Sequence, residues 1–165
     1  MSDERGWDRA RWLWWLALVG GVSFFVAVHQ HWHGPAIWAW KTSGAALLAL
    51  WAAANARGTD GRLIALTLGF GALGDYLLDA RGLIVGALAF AAGHVTAIIL
   101  YWRNRRPALS APQRWLGSLT VPAALVIAWG LTRGAPDGAA AVGYTALVAA
   151  MAASAWTSRF PRYRT

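Results

Sequence analysis

The chain has no cysteine, and only 13% of its 165 residues are charged. The absence of cysteine excludes both a disulfide framework and a thiolate metal site. So few charged residues cannot cover the surface of a water-soluble globule, and 58% of the residues are hydrophobic. Together with 18 glycines and 12 tryptophans, this composition predicts a polytopic membrane protein.

Six apolar runs divide the chain, each close to the roughly 20 residues that an α-helix needs to cross a bilayer. None of them alternates with the period of two that marks a β-barrel strand. Tryptophans cluster at the ends of the runs, which is typical of a membrane interface rather than of a stacking surface for nucleic acid. We predict an all-α membrane bundle in a single domain, with helices at residues 12–28, 36–54, 63–78, 83–102, 115–131 and 139–156.

Basic residues are distributed unevenly between the connecting segments. Three arginines precede the first run, two follow the second, four follow the fourth and three follow the sixth, which makes twelve. The remaining connections contain only Arg81 and Arg133. The positive-inside rule therefore places both termini in the cytoplasm and predicts a multi-pass protein of the inner (cytoplasmic) membrane. Topology and anionic lipid headgroups then explain the net charge of +8, and no nucleic-acid partner is predicted.

Polar residues inside the apolar runs are the candidates for function. Asp75 is the one charged residue in the run at 63–78, and a carboxylate at membrane depth is costly enough to suggest a functional site. Lys41 lies early in the second run and His94 in the middle of the fourth. Close approach of these glycine-rich helices would bring all three side chains toward one interior cavity. The structural alternative is that Asp75 pairs with Lys41 or His94 and only fastens the helices together.

Three motifs in this region are similar to those of a known family. They are Lys41 early in the second helix, G-x-L-G-D-Y-L-L at residues 71–78, and G-x-L-A-F-x-x-G-H at residues 86–94. On these motifs the chain resembles the YhhN-like lysoplasmalogenase family of integral membrane proteins, most clearly over residues 36–102. The family usually has more helices and a late Ser-Asp, so the chain resembles a member shortened at its C-terminal end. It also departs from the family pattern at Thr42 and Ala97, where proline and tyrosine are usual.

The resemblance implies hydrolysis of the vinyl ether bond of a lysoplasmalogen to a fatty aldehyde and a glycerophospho-alcohol. Such hydrolysis begins with proton transfer to carbon and leaves an oxocarbenium ion that water attacks. Asp75 is the predicted acid, because a carboxyl group away from water favours its neutral form. His94 would orient water or share the proton, Asp79 would be a second catalytic carboxylate, and Lys41 would bind the phosphate headgroup. Asp79 could instead pair with Arg81 at the interface.

His29, His31 and His33 form a second conspicuous cluster. Alternate residues share a face on a strand, but this segment follows a helix, so we expect polar interface residues rather than a metal site. No metal or other cofactor is predicted. The expected partners are a membrane lipid substrate and anionic lipid headgroups, and the composition is compatible with a homo-oligomer.

Two other classes of function fit the same residues. A small proton-coupled carrier would also place a carboxylate and a histidine inside a helix bundle. A non-catalytic accessory membrane protein would keep the packing glycines without using Asp75 as an acid. Hydrolysis of a lysoplasmalogen without any ion gradient would distinguish an enzyme from a carrier.

The distribution of basic residues generates a topology prediction. Reporter fusions at Gly34, Gly82 or Asp137 should report the outer side of the membrane, because the arginine-rich segments stay inside. A cytoplasmic signal at Gly82 would invert the assignment and place Asp75 in the opposite leaflet.

Overall fold

The computed structural model describes residues 10–160, and within that range the chain is helical with no β-strand. A single bridge between Arg105 and Ser158 is the one β-type contact of the described residues. The prediction of an all-α architecture is confirmed. The helices are α1 (Arg11–His29), α2 (Pro35–Ala54), α3 (Gly58–Arg81), α4 (Leu83–Arg103), α5 (Ala111–Thr132) and α6 (Gly138–Trp156).

Five of these helices are long and apolar enough to cross a membrane; they are α1, α3, α4, α5 and α6. Helix α2 falls short in hydropathy because it contains Lys41, neighbouring hydroxyl residues and three tryptophans. Its 20 residues nevertheless extend about 30 Å, enough to cross the hydrocarbon core. It also packs against both α1 and α3. The predicted multi-pass helical membrane protein is therefore confirmed.

The predicted ends of the third and fifth helices were wrong by several residues. Helix α3 begins at Gly58 and ends at Arg81, with Asp60 in its first turn and Arg81 in its last, where each charge complements the helix dipole. Asp75 therefore lies about 9 Å from the end of α3, whereas the predicted end at residue 78 would place it about 5 Å away, and Asp79 lies inside the last turn. Helix α5 begins at Ala111, because Gln113 accepts a hydrogen bond from the backbone N–H of Ser110 at 3.0 Å.

The chain divides into two compact units, Met1–Gly93 and His94–Thr165. In the first unit α1 packs on α2 and α2 packs on α3. Gly44 allows α1 and α2 to approach closely, since a Cβ there would lie 3.1 Å from the Cα of Gly21. The indole of Trp40 joins the same pair of helices by donating to the hydroxyl of Ser23 at 2.9 Å. The prediction of a single domain stays a prediction.

In the second unit, α5 packs on α6, and the segment after α4 is fixed to the end of α6. The guanidinium of Arg106 donates to the backbone carbonyl of Ser158 at 2.7 Å. The backbone N–H of Arg159 donates to the carbonyl of Asn104 at 2.7 Å. Contacts to the backbone therefore hold the segment after α4 against residues 158 and 159 at the end of α6.

Helices α3 and α4 form a hairpin with one connecting residue, Gly82, whose φ of +91° lies in the region that favours glycine. Glycines also set the distance between these helices. A Cβ at Gly74 would lie 2.8 Å from the ring of Phe90, and one at Gly86 would lie 2.8 Å from the backbone of Leu78. Gly71, by contrast, has no such neighbour within 4 Å.

This difference between the glycines can be tested by alanine substitution. Gly86→Ala should lower the melting temperature, because its new methyl group meets the backbone of Leu78, which cannot move without separating the helices. Gly71→Ala is the matched control and should keep or raise it, since alanine is favoured over glycine inside a helix by about 0.5–1 kcal/mol. Thermal unfolding of both variants in one detergent is the measurement. Equal changes in the melting temperatures of the two variants would show that glycine contacts do not set the spacing between α3 and α4.

Candidate functional site

One ion pair joins α2 to α3. The Nζ of Lys41 lies 2.9 Å from the Oδ2 of Asp79, and each side chain is 29% exposed. Lys41 lies in the second turn of α2 and Asp79 in the last turn of α3, so the pairing of these neighbouring helices brings both charges to one level. The alternative pairing of Asp79 with Arg81 was wrong. Asp79 pairs instead with the one lysine of the chain.

Asp75 lies on the same face of α3 as Asp79, because the two residues are four positions apart. Its side chain is half-buried, and its carboxyl group makes no hydrogen bond to any residue between positions 10 and 160. Lys41 is thus already paired one helical turn away, and the carboxyl of Asp75 is left without a direct partner among the described residues.

His94 belongs to the second unit, where α6 holds both nitrogens of its imidazole ring. Nε2 lies 3.1 Å from the hydroxyl of Tyr144, and Nδ1 lies 3.2 Å from the sulfur of Met151. Tyr144 and Met151 are seven residues apart on α6 and therefore share a face. The phenol also packs edge-on against the imidazole, with ring centroids 5.7 Å apart.

These two contacts predict the protonation pattern of the ring. A thioether sulfur only accepts hydrogen bonds, so Nδ1 must carry the proton that points at Met151. In the neutral imidazole Nε2 is then an acceptor, and the hydroxyl of Tyr144 donates to it. Any proton that reaches Nε2 in this arrangement passes through, or displaces, the phenol of Tyr144.

Sequence reasoning did not find Tyr144 or Met151. A signal was present for Tyr144, because it is the one aromatic hydroxyl in α6 and a phenol within a helix bundle usually finds a partner. On α4 itself, position 97 holds a buried alanine, so the aromatic group beside His94 comes from a different helix. The expected meeting of His94 with Asp75 and Lys41 in one cavity stays a prediction.

His29 ends α1, and His31 and His33 lie in the connection to α2. Among residues 10–160 no three histidine, aspartate or glutamate side chains are grouped so that they could hold a metal ion. His31 and His33 instead line a cavity that Lys41 and Asp79 also reach.

The fold and these contacts define a polytopic helical membrane protein that carries ionisable side chains among its helices. The model of the YhhN family matches residues 36–165, and the chain belongs to the YhhN family. The matched range begins at the start of α2 and includes Lys41, Asp75, Asp79, His94 and Tyr144. Neither the comparison with curated proteins nor that with solved structures finds a match.

The contacts of His94 predict a specific tautomer. Nitrogen-15 NMR of the purified protein should show neutral His94 protonated at Nδ1, and Met151→Leu should shift it toward the Nε2-protonated form by removing the acceptor. Thr145→Val is the control, because it removes a hydroxyl beside Tyr144 that makes no hydrogen bond to a described residue, and it should leave the tautomer unchanged. Protonation of the wild-type ring at Nε2 alone would contradict the arrangement with Tyr144 and Met151.

Proposed function

We propose that this member of the YhhN family hydrolyses the vinyl ether bond of lysoplasmalogens within the membrane. The observation that carries the proposal is the carboxyl of Asp75, which has no hydrogen bond to a described residue and lies one turn from the Lys41–Asp79 pair. An acid that must give its proton to carbon cannot be held ionised by a direct cation partner. Because Lys41 is paired with Asp79, it is not a direct cation partner of Asp75.

In the proposed reaction, Asp75 gives its proton to the vinyl carbon that does not carry the oxygen. The other vinyl carbon becomes an oxocarbenium ion, and water adds to it to form a hemiacetal. The hemiacetal breaks its carbon–oxygen bond to the glycerol, which releases a fatty aldehyde and a glycerophospho-alcohol. One water is consumed, and its proton returns to Asp75.

We also propose roles for the remaining polar residues. Asp79 is the second carboxylate, and its charge one turn from Asp75 favours the positive oxocarbenium ion. Lys41 is the cation that binds the phosphate of the substrate. His94 is proposed to orient water and share its proton, through the hydroxyl of Tyr144 that occupies its Nε2.

We also propose where the protein acts. It lies in the inner (cytoplasmic) membrane as a multi-pass chain, where lipid surrounds its helices and also supplies the substrate. The arginine-rich connections bind anionic lipid headgroups on the cytoplasmic side. Assembly into a homo-oligomer is compatible with the exposed apolar faces of its helices.

Substitution of Asp75 tests the chemistry. Asp75→Asn keeps the shape and most hydrogen-bonding capacity but removes the transferable proton, so aldehyde release by the purified protein should fall by roughly two to four orders of magnitude. The melting temperature should stay equal or rise, because no stabilising partner is lost. The assay needs a lysoplasmalogen in detergent micelles and no ion gradient, which separates hydrolysis from proton-coupled transport.

Asp137→Asn is the control, since Asp137 lies at the connection before α6 and makes no side-chain cap contact. It should leave aldehyde release unchanged. Wild-type activity in Asp75→Asn would end the proposed mechanism. Loss of both fold and activity would show that Asp75 fastens the helices.

A further inference from the structure

A nitrogen atom and a sulfur atom converge in the second unit. Nδ1 of His94 lies 3.2 Å from the sulfur of Met151, while the hydroxyl of Tyr144 lies 3.1 Å from Nε2. One ring nitrogen therefore faces a soft, polarizable atom, and the other faces a polar group that holds the orientation of the ring. Met151 is the one methionine between residues 10 and 160. All three side chains are partly exposed, so a small ion can reach the two facing atoms.

The two facing donors are both neutral, and the surrounding sequence supplies no anionic one. Alanines occupy the two positions before and the two positions after Met151. Asp137 is the one acidic residue of the unit, and it lies fourteen positions before Met151, a rise of about 21 Å along a helix. The chain has no cysteine that could act as a thiolate. An ion between His94 and Met151 would thus keep its full charge.

Neutral donors favour a monovalent metal ion. The free energy of moving an ion out of water rises with the square of its charge, so a divalent ion needs anionic ligands that this pair does not provide. Zinc sites accordingly combine histidine with thiolate or carboxylate ligands. A thioether is a soft ligand that selects Cu(I), and imidazole also binds copper.

We propose that Nδ1 of His94 and the sulfur of Met151 form a binding site for a soft monovalent metal ion, Cu(I), for which Ag(I) is the redox-inert probe. The site depends on the contacts of His94 within the second unit and does not require the hydrolysis proposed above.

The observed distance is close to the one that a bound metal needs. With metal–nitrogen and metal–sulfur bonds of about 2.0 Å and about 2.3 Å, and an angle of about 120° at a three-coordinate metal, the two atoms lie about 3.7 Å apart. The pair must therefore open by about 0.5 Å from its present 3.2 Å. Methionine has three rotatable bonds, so Met151 can move its sulfur this far without a shift of α6.

Tyr144 is the positioning residue of the site. A histidine that binds a metal usually donates its other ring N–H to a neighbouring acceptor, which fixes the ring and raises the basicity of the ligating nitrogen. When a metal takes Nδ1, the ring proton moves to Nε2, and the oxygen of Tyr144 accepts it. The neutral ring has one proton before and after, so binding releases no proton.

The test is NMR of the protein labelled with carbon-13 at the methionine methyl groups. The chain has two methionines, Met1 and Met151, so the spectrum contains few signals, and Met151→Leu assigns them. Addition of silver nitrate to the detergent-solubilised protein in chloride-free buffer should shift the Met151 methyl signal until it saturates. Zinc at the same concentration should leave this signal in place. A Met151 signal that silver does not move would overturn the proposal, as would a larger response to zinc.

Two variants and a control assign the ligands. His94→Gln should raise the silver concentration needed to shift the Met151 signal at least about tenfold, and Tyr144→Phe should raise it about tenfold. His31→Gln is the matched control, because it removes a histidine of the first unit and should leave the titration unchanged. An unchanged titration in His94→Gln would contradict the site.

Met151→Leu tests the same site without changing the histidine. Leucine has nearly the volume of methionine, so the variant should fold, and its melting temperature checks this. Nitrogen-15 NMR of wild-type His94 should show the ring proton move from Nδ1 to Nε2 when silver is added, and this change should be absent in Met151→Leu. The same change in both proteins would show that the sulfur is not a ligand.

One further variant separates this inference from the proposed function. Asp75→Asn should bind silver as the wild type does, because Asp75 belongs to the first unit. A silver-induced shift of the Met151 signal in a protein that releases no aldehyde would refute the hydrolase and support the metal site. Aldehyde release by a protein whose Met151 signal does not respond to silver would refute the metal site alone.

Discussion

The Lys41–Asp79 ion pair is the contact on which the proposed chemistry depends. The chain has one lysine, and a charge among membrane helices must find a partner or leave the hydrocarbon. Because Lys41 is paired with Asp79 at 2.9 Å, the deeper carboxyl of Asp75 is left without a direct cation. One turn of α3 thus separates a paired carboxylate from a carboxyl that, in the proposed reaction, gives its proton to the substrate. Lys41 and Asp79 also line the cavity that His31 and His33 of the α1–α2 connection line.

Glycines set the spacing between α4 and α3, the helix that carries Asp75 and Asp79. Gly82 turns the chain between α3 and α4 in one residue, and Gly74 and Gly86 let the two helices pack without side chains between them. Because α4 packs this closely, it excludes lipid from the side of α3 that carries Gly74, the residue before Asp75. In the second unit the imidazole of His94 is held at both nitrogens by α6, which fixes the direction of its proton.

Much of the fold could be predicted because the thickness of a bilayer fixes the length of an apolar run. The helix ends at Gly58, Arg81 and Ala111 could not be predicted this way, since polar residues near them continue the helix beyond the apolar run. Whether Lys41 pairs with Asp79 or with Asp75 depends on the register of α2 against α3, because the two aspartates lie one helical turn apart. Tyr144 and Met151 lie about fifty residues from His94, and nothing local in the sequence marks their contact with it. His31 and His33 suggested only interface residues, because the cavity that they line needs α2 and α3 to exist.

Infrared spectroscopy measures the protonation of Asp75 most directly. At neutral pH the purified protein should show the stretching band of a protonated carboxyl group, because this carboxyl is half-buried and has no cation at hydrogen-bond distance. The band should vanish in Asp75→Asn and persist in Asp137→Asn, whose carboxyl lies in a connection between helices. Absence of the band from the wild-type protein, or its persistence in Asp75→Asn, would contradict the assignment of Asp75 as a neutral acid.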